Sequence, residues 1–135
     1  MKVKVIDFGV KNLPKRMHYN DAGADVYSVC DCTLNPGETV KMPLGFGIEV
    51  PDGYMAFVYS RSGLSSYGII CQLSPIDSGY RGEIHAVISN IGNNAYDIKE
   101  GDRIGQLVIM PVVIADFVTE QFEERESTGF GASGR

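Results

Sequence analysis

Asp77 and Tyr80 stand three residues apart in the turn-forming run Pro75-Ile76-Asp77-Ser78-Gly79-Tyr80-Arg81-Gly82. A carboxylate there would hold and polarise a water, and the aromatic ring beside it would pack against a sugar. Ser60-Arg61-Ser62-Gly63-Leu64-Ser65 puts a cation, hydroxyls and a glycine into one turn. That set suits phosphate oxygens, with Ser62 and neighbouring backbone N–H groups donating and Arg61 carrying charge. Asp21-Ala22-Gly23-Ala24-Asp25-Val26-Tyr27 places two acids four residues apart around a glycine. Such a pair would hold metal-bound waters at the end of a strand, as Mg²⁺ takes few carboxylates and keeps several waters. It reads equally well as a turn in which Asp21 caps the loop. Gly101-Asp102-Arg103-Ile104-Gly105-Gln106-Leu107 is a turn entering a strand. Alternation would send Ile104 and Gln106 to one face and Gly105 and Leu107 to the other. A buried Gln106 would need hydrogen-bond partners, and Asp102 with Arg103 reads as a structural turn pair.

Gly129-Phe130-Gly131-Ala132-Ser133-Gly134 has the spacing G-x-G-x-x-G, but a dinucleotide fingerprint must follow a strand and open a helix. Only Arg135 follows this copy. What survives is local: glycines let backbone N–H groups converge on an anion, and Arg125 upstream would grip a terminal phosphate as a fork. From Glu120 onward the chain is acidic, glycine-rich and polar, too poor in apolar residues to offset its ordering entropy. A mobile tail of this kind, with Phe130 between glycines, suits a flap closing over something flat.

The groups to be positioned belong to 135 residues, one domain by length. Hydrophobic residues make up 44% and charged residues 21%, the balance of a globular protein with a core. No apolar run approaches the ~20 residues that span a bilayer, and Met1–Val10 has no signal-peptide block, so a cytoplasmic or nuclear protein is expected. Net charge is −5, with 12 basic and 17 acidic residues, which argues against duplex nucleic acid as a partner. Cys30, Cys32 and Cys71, with only His18 and His85, give no zinc-ligand spacing and read as reduced thiols.

Turn signals recur about every ten residues, at Asn35-Pro36-Gly37, Pro51-Asp52-Gly53, Ile91-Gly92-Asn93-Asn94 and Lys99-Glu100-Gly101-Asp102. Alternating runs lie between them: 2–5, 40–44, 56–59, 84–88, 104–109 and 112–114. Period-two segments with regular turns predict an all-β sandwich or barrel. A short helix is expected to follow Arg61-Ser62-Gly63, through Tyr67, and nothing longer.

Taken in order, D-A-G-A-D-V-Y-S (21–28), R-S-G-L-S (61–65), I-D-S-G-Y-R-G (76–82), G-D-R-I-G-Q-L (101–107) and R-E-S-T-G-F-G-A-S-G (125–134) closely resemble the motifs of the trimeric dUTP pyrophosphatase family. The resemblance spans nearly the whole chain. It implies an all-β, distorted jelly-roll-like barrel over residues 1–123, a flexible C-terminal arm over 124–135, and a homotrimer with active sites between subunits. The implied activity is Mg²⁺-dependent hydrolysis of dUTP to dUMP and pyrophosphate by water attack at the α-phosphorus, limiting uracil in DNA and supplying dUMP for dTMP synthesis.

Carried over by position, Asp77 would activate the water and Asp25 would reach Mg²⁺ through water. Arg61, Ser62, Gly63 and Gln106 would contact the phosphate chain. Tyr80 would pack on the deoxyribose where a ribose 2′-hydroxyl would clash. Ile76 would line the sugar pocket, with Pro75 beside it among the substrate-binding residues. Arg125 would bind the γ-phosphate, Phe130 would stack on uracil, and Gly131 and Ser133 would donate to phosphates. The sequence departs from the family pattern at Ser60, where proline is usual, at Ser74, where glycine is usual, and at Glu126, where glycine is common. The hairpin from Gly68 to Asp77 is one or two residues short, and the uracil-reading asparagine falls on Cys71, with Gln72 next. A related dCTP deaminase would need a glutamate at position 87, which is valine. A nucleotide-binding regulatory or interaction module of the same fold is the alternative.

Overall fold

Residues 1–120 are described by the computed structural model. Its turns form where the residue types require them. Gly53 (φ +84°) and Gly101 (φ +86°) take left-handed conformations that a side chain would strain. At the second of these turns the Asp102 carboxylate also accepts the Lys99 N–H at 2.9 Å.

Ten short strands and one helical turn follow from this punctuation. They are β1 (Val5–Asp7), β2 (Ala24–Tyr27), β3 (Cys32–Leu34), β4 (Thr39–Pro43), β5 (Phe46–Ile48), β6 (Tyr54–Tyr59), α1 (Ser62–Ser65), β7 (Ile69–Cys71), β8 (His85–Asn90), β9 (Tyr96–Ile98) and β10 (Arg103–Pro111). The strands form four small antiparallel sheets, ordered β1-β5, β2-β10-β6, β3-β9 and β4-β8-β7. The expected all-β class is what the chain adopts, and its jelly-roll-like character lies in these small sheets wrapping one core.

The expected strands at 40–44, 56–59, 84–88 and 104–109 appear with small shifts of boundary. The N-terminal strand lies at Val5–Asp7 rather than 2–5, because those residues face β5, with Val5 opposite Ile48. The expected strand at 112–114 is absent. The Val112 N–H bonds the Gly53 carbonyl at 2.9 Å, but Val113 and Ile114 are 87% and 81% exposed. Helix α1 starts at Ser62 rather than after Gly63. The boundary expected at 123/124 and the arm over 124–135 lie outside the described residues. No helix among the described residues is long and apolar enough to cross a membrane.

The core is built from Phe46, Met42, Ile69, Ile84, Ile88 and Ile104, with other apolar side chains packed around them. Each aliphatic side chain taken fully out of water contributes about 1.5–3 kcal/mol. Cys71 belongs to this core, its Sγ 3.5 Å from the Ile104 carbonyl. Burial pushes its thiol up from 9.0 to about 11, because the anion would lose its hydration. Between these values the folded chain keeps a proton that the unfolded chain has released, so stability falls as pH rises through that window. The expected loss is about 2–3 kcal/mol by the upper end. Urea titrations across this range should show that loss in the parent protein and a flatter profile in Cys71→Ala.

Candidate active site

The Asp77 segment is anchored on β6. Ile76 and Ala56 exchange two backbone hydrogen bonds, Ala56 N–H to the Ile76 carbonyl at 3.1 Å and Ile76 N–H to the Ala56 carbonyl at 2.7 Å. The next residue, Asp77, therefore leaves the sheet at a fixed point. Its carbonyl accepts the Tyr80 N–H at 3.0 Å, closing the turn. The Tyr80 hydroxyl donates to the Glu83 carbonyl at 2.8 Å, and the Glu83 carboxylate accepts the Gly45 N–H at 2.8 Å. Arg81 clasps the same turn from outside through the Ser78 carbonyl at 2.6 Å. Asp77 is exposed at the wall of a cavity of about 400 Å³ that it shares with Pro75, Ile76, Tyr80, Gln72 and His85.

A second cluster forms where β2, β10 and α1 meet. Asp25 is 9% exposed, and a carboxylate that far from water needs countercharge. It has two guanidinium groups, Arg61 Nε at 3.6 Å from Oδ1 and Arg103 Nη1 at 3.7 Å from Oδ2. Arg61 is held further by donating to the Arg103 carbonyl at 3.1 Å. Because α1 opens at Ser62, Ser62 and Gly63 occupy its first turn and are exposed, with N–H groups that have no partner inside the helix. Gln106 lies opposite Asp25 on one side and Tyr59 on the other. It is half-buried, and its Nε2 donates to the Ser60 carbonyl at 3.0 Å. Gly23 makes room for it, since a Cβ there would come within 2.8 Å of Gln106 Cβ.

Two expectations need correction here. Simple alternation through 104–107 fails: Ile104, Gly105 and Leu107 are all buried, and Gln106 is half-buried. A register shift between Arg103 and Gly105 absorbs one residue against β2, and a bulge of this kind re-aims side chains. Asp102 and Arg103 do not act as a pair. Asp102 serves the turn, whereas Arg103 turns onto Asp25, a contact the linear spacing did not reveal. Asp21 takes the capping alternative, its Oδ2 accepting the His18 N–H at 2.8 Å, so the two acids of that run have separate tasks.

The structure thus gathers Asp25, Arg61, Ser62, Gly63 and Gln106 in one cluster, and Pro75, Ile76, Asp77 and Tyr80 around one cavity. The cavity lining includes no member of the first cluster. Arg61 and Arg103 border a different cavity of about 230 Å³. Arg125, Phe130, Gly131 and Ser133 lie outside the described residues. Among the described residues there is no group of three or more His, Cys, Asp or Glu side chains able to hold a metal. A lone acid such as Asp25 fits Mg²⁺, which needs no protein-made cage because it keeps its waters and leans on substrate phosphates.

Three kinds of comparison agree. A family model described as dUTPase matches residues 10–134. The deoxyuridine 5'-triphosphate nucleotidohydrolase of Leifsonia xyli is 45% identical over 131 residues, covering 92% of this chain and 86% of the relative. That of Desulfitobacterium hafniense is 40% identical over 146 residues, covering 99% and 97%. The solved dUTPase of phage phi11 of S. aureus superposes with a TM-score of 0.84 at 26% identity, covering 92% and 99%. A mutant of that phage enzyme coordinates a structural Mg(II) ion, and a dUTPase mutant from Staphylococcus bacteriophage 80alpha was solved with dUpNHpp.

Proposed function

The chain belongs to the dUTPase family, and from that premise we propose that it hydrolyses dUTP to dUMP and pyrophosphate in the presence of Mg²⁺. The observation that carries this reading is the fixed turn that presents the Asp77 carboxylate beside the Tyr80 ring in a cavity of about 400 Å³. Asp77 orients a water and takes its proton as the oxygen bonds to the α-phosphorus. The bond from that phosphorus to the α–β bridging oxygen breaks, and pyrophosphate leaves with the negative charge. Arg61, Gln106 and the N–H groups of Ser62 and Gly63 stabilise that charge. Positioning and electrostatics of this sort supply most of the catalysis in phosphoryl transfer. Asp25 would hold Mg²⁺ through its hydration shell, and the bound ion supplies charge neutralisation on the triphosphate.

The same reading makes the protein a homotrimer with sites between subunits. Support comes from the separation of the phosphate cluster and the Asp77 cavity within one chain, which another subunit would bridge. Arg125, Phe130, Gly131 and Ser133, on the proposed arm over 124–135, would close the site by gripping the γ-phosphate, covering the base and donating to phosphates. The corresponding location is cytoplasmic, or nuclear in a eukaryote, with no direct role for nucleic acid or membrane.

Ile76 and Pro75 line the sugar side, and the Tyr80 ring packs where a 2′-hydroxyl would sit. Because the ring is tied to the Glu83 carbonyl, it should act as a rigid gate. Tyr80→Ala is expected to raise UTP hydrolysis relative to dUTP by about tenfold, whereas Tyr80→Phe, which keeps the ring but loses its tie to the Glu83 carbonyl, should fall between Tyr80→Ala and the parent. The test of the function itself is pyrophosphate release with Mg²⁺ from dUTP, dTTP, dCTP and UTP. Selective hydrolysis of dUTP is the expected result, and broad or absent hydrolysis would overturn the reading.

A further inference from the structure

Residues 16–21 form a loop that lies against the phosphate cluster and is tied down along its length. Lys15 and Asp25 exchange two backbone hydrogen bonds, at 3.1 and 2.8 Å. Arg16 Nε donates to the Asp21 carbonyl at 2.8 Å, and the His18 N–H donates to Asp21 Oδ2 at 2.8 Å. Met17 is held between these two ties and is 66% exposed. The proposed hydrolysis gives it no task. Its sulfur nevertheless touches the cluster, because Arg103 Nη1 donates to Met17 Sδ at 3.5 Å. The same nitrogen lies 3.7 Å from Asp25 Oδ2. One guanidinium nitrogen thus stands between an exposed thioether and a carboxylate whose side chain is only 12% exposed.

We propose that Met17 is a modification site: a peroxide converts its thioether to the sulfoxide, and the new oxygen draws Arg103 off Asp25. A sulfur lone pair attacks one oxygen of hydrogen peroxide, so that the S–O bond forms as the O–O bond breaks. The sulfur is oxidised by two electrons. The peroxide is reduced to water, the proton on the transferred oxygen passing to the departing hydroxide. A thioether sulfur is a weak acceptor, whereas the sulfoxide is polar. A hydrogen bond from a guanidinium to its oxygen is short and charge-assisted. The Arg103 side chain is 42% exposed and has room to follow. Of its two guanidinium partners Asp25 then keeps Arg61, at 3.6 Å, although a carboxylate so far from water depends on countercharge. Asp25 loses orientation as well as charge balance. The effect on turnover rests on the dUTP reading of this cluster, and the effect on stability does not.

The test exposes the full chain to hydrogen peroxide and then to dithiothreitol, which returns oxidised cysteines to thiols and leaves sulfoxides in place. Peptide mass spectrometry, thermal melts and kcat/KM for dUTP are compared in the parent, Met17→Leu, Met17→Gln and Arg103→Ala. In the parent, Met17 should oxidise ahead of Met42, which is 1% exposed. Its kcat/KM should fall about tenfold and its melting temperature by a few degrees, and methionine sulfoxide reductase should restore both. Met17→Leu keeps the volume without the oxidisable atom, so it should start at the parent values and hold them through peroxide. Met17→Gln carries an oxygen acceptor from the outset and should resemble the oxidised parent without treatment. In Arg103→Ala, oxidation at Met17 should change neither quantity further. A Met17 that resists peroxide, an active parent whose kcat/KM is unchanged once Met17 is oxidised, or a Met17→Leu variant that peroxide impairs equally would overturn the inference and leave the dUTPase reading standing. A parent that does not hydrolyse dUTP would overturn that reading instead, and the melting temperatures would then decide this inference by themselves.

Discussion

Asp77→Asn is expected to lower kcat by about a thousandfold and to leave folding and nucleotide binding intact. Asparagine has the shape of aspartate and sits comfortably in turns, so the hydrogen bond from the Tyr80 N–H to the residue-77 carbonyl should persist. The residue is exposed, and surface substitutions of this kind change stability by about 0.5 kcal/mol or less. What is lost is a group able to take a proton from the attacking water. Single-turnover pyrophosphate release, paired with equilibrium binding of dUTP, separates these effects. A variant that turns over within tenfold of the parent would remove Asp77 from the chemistry.

Gly23→Ala is the other large effect, and it acts at a distance from the reacting atoms. The added methyl would come within 2.8 Å of Gln106 Cβ and run into the carboxamide beyond it. Gln106 would then have to leave the Ser60 carbonyl, or β2 would have to move off β10. Overpacking of this kind costs about 1–3 kcal/mol. Because Asp25 and Gln106 are register partners, either movement also displaces a group of the phosphate cluster. Misplacement by about 1 Å can cost on the order of a hundredfold in rate. The double variant Gly23→Ala/Gln106→Gly removes both the carboxamide and the Cβ that the methyl would meet. It should regain part of the lost melting temperature but little of the lost rate, a coupling that a double-mutant cycle measures directly. Additive losses in stability would show that the two residues do not meet.

Strands β6, β8 and β10 were legible in the sequence because they are long enough for alternation to register. Strands β2 and β5 were not: Ala24–Val26 and Phe46–Ile48 are buried at every position, so period two leaves no trace. Three-residue strands such as β7 and β9 are simply too brief. Val112-Val113-Ile114 misled in the other direction. Its composition favours a strand, but strand formation needs a partner ladder, and it has none among the described residues.

The site divides in the same way. Asp77, Tyr80, Arg61 and Gln106 each sit in a short run whose residue types announce their chemistry. Arg103 beside Asp25 depends on the shift in register near Ile104. That is a fact of pairing between distant segments, which no local pattern contains. The assignment of Asp25 to one task and Asp21 to another likewise appears only once Arg61 and Arg103 are folded onto the first of them.

The shift in register between Arg103 and Gly105 also governs which sequence changes the protein can absorb. Arg103 and Gln106 serve the same cluster from positions that a regular strand would set on opposite faces, since their separation is odd. The extra residue corrects that parity. Removing a single residue between them would turn one of the two away from Asp25 even if every remaining residue type were kept. Length, more than identity, is therefore the inherited constraint on this stretch. Exchanges among similar apolar residues at 104 should be tolerated where a one-residue deletion is not.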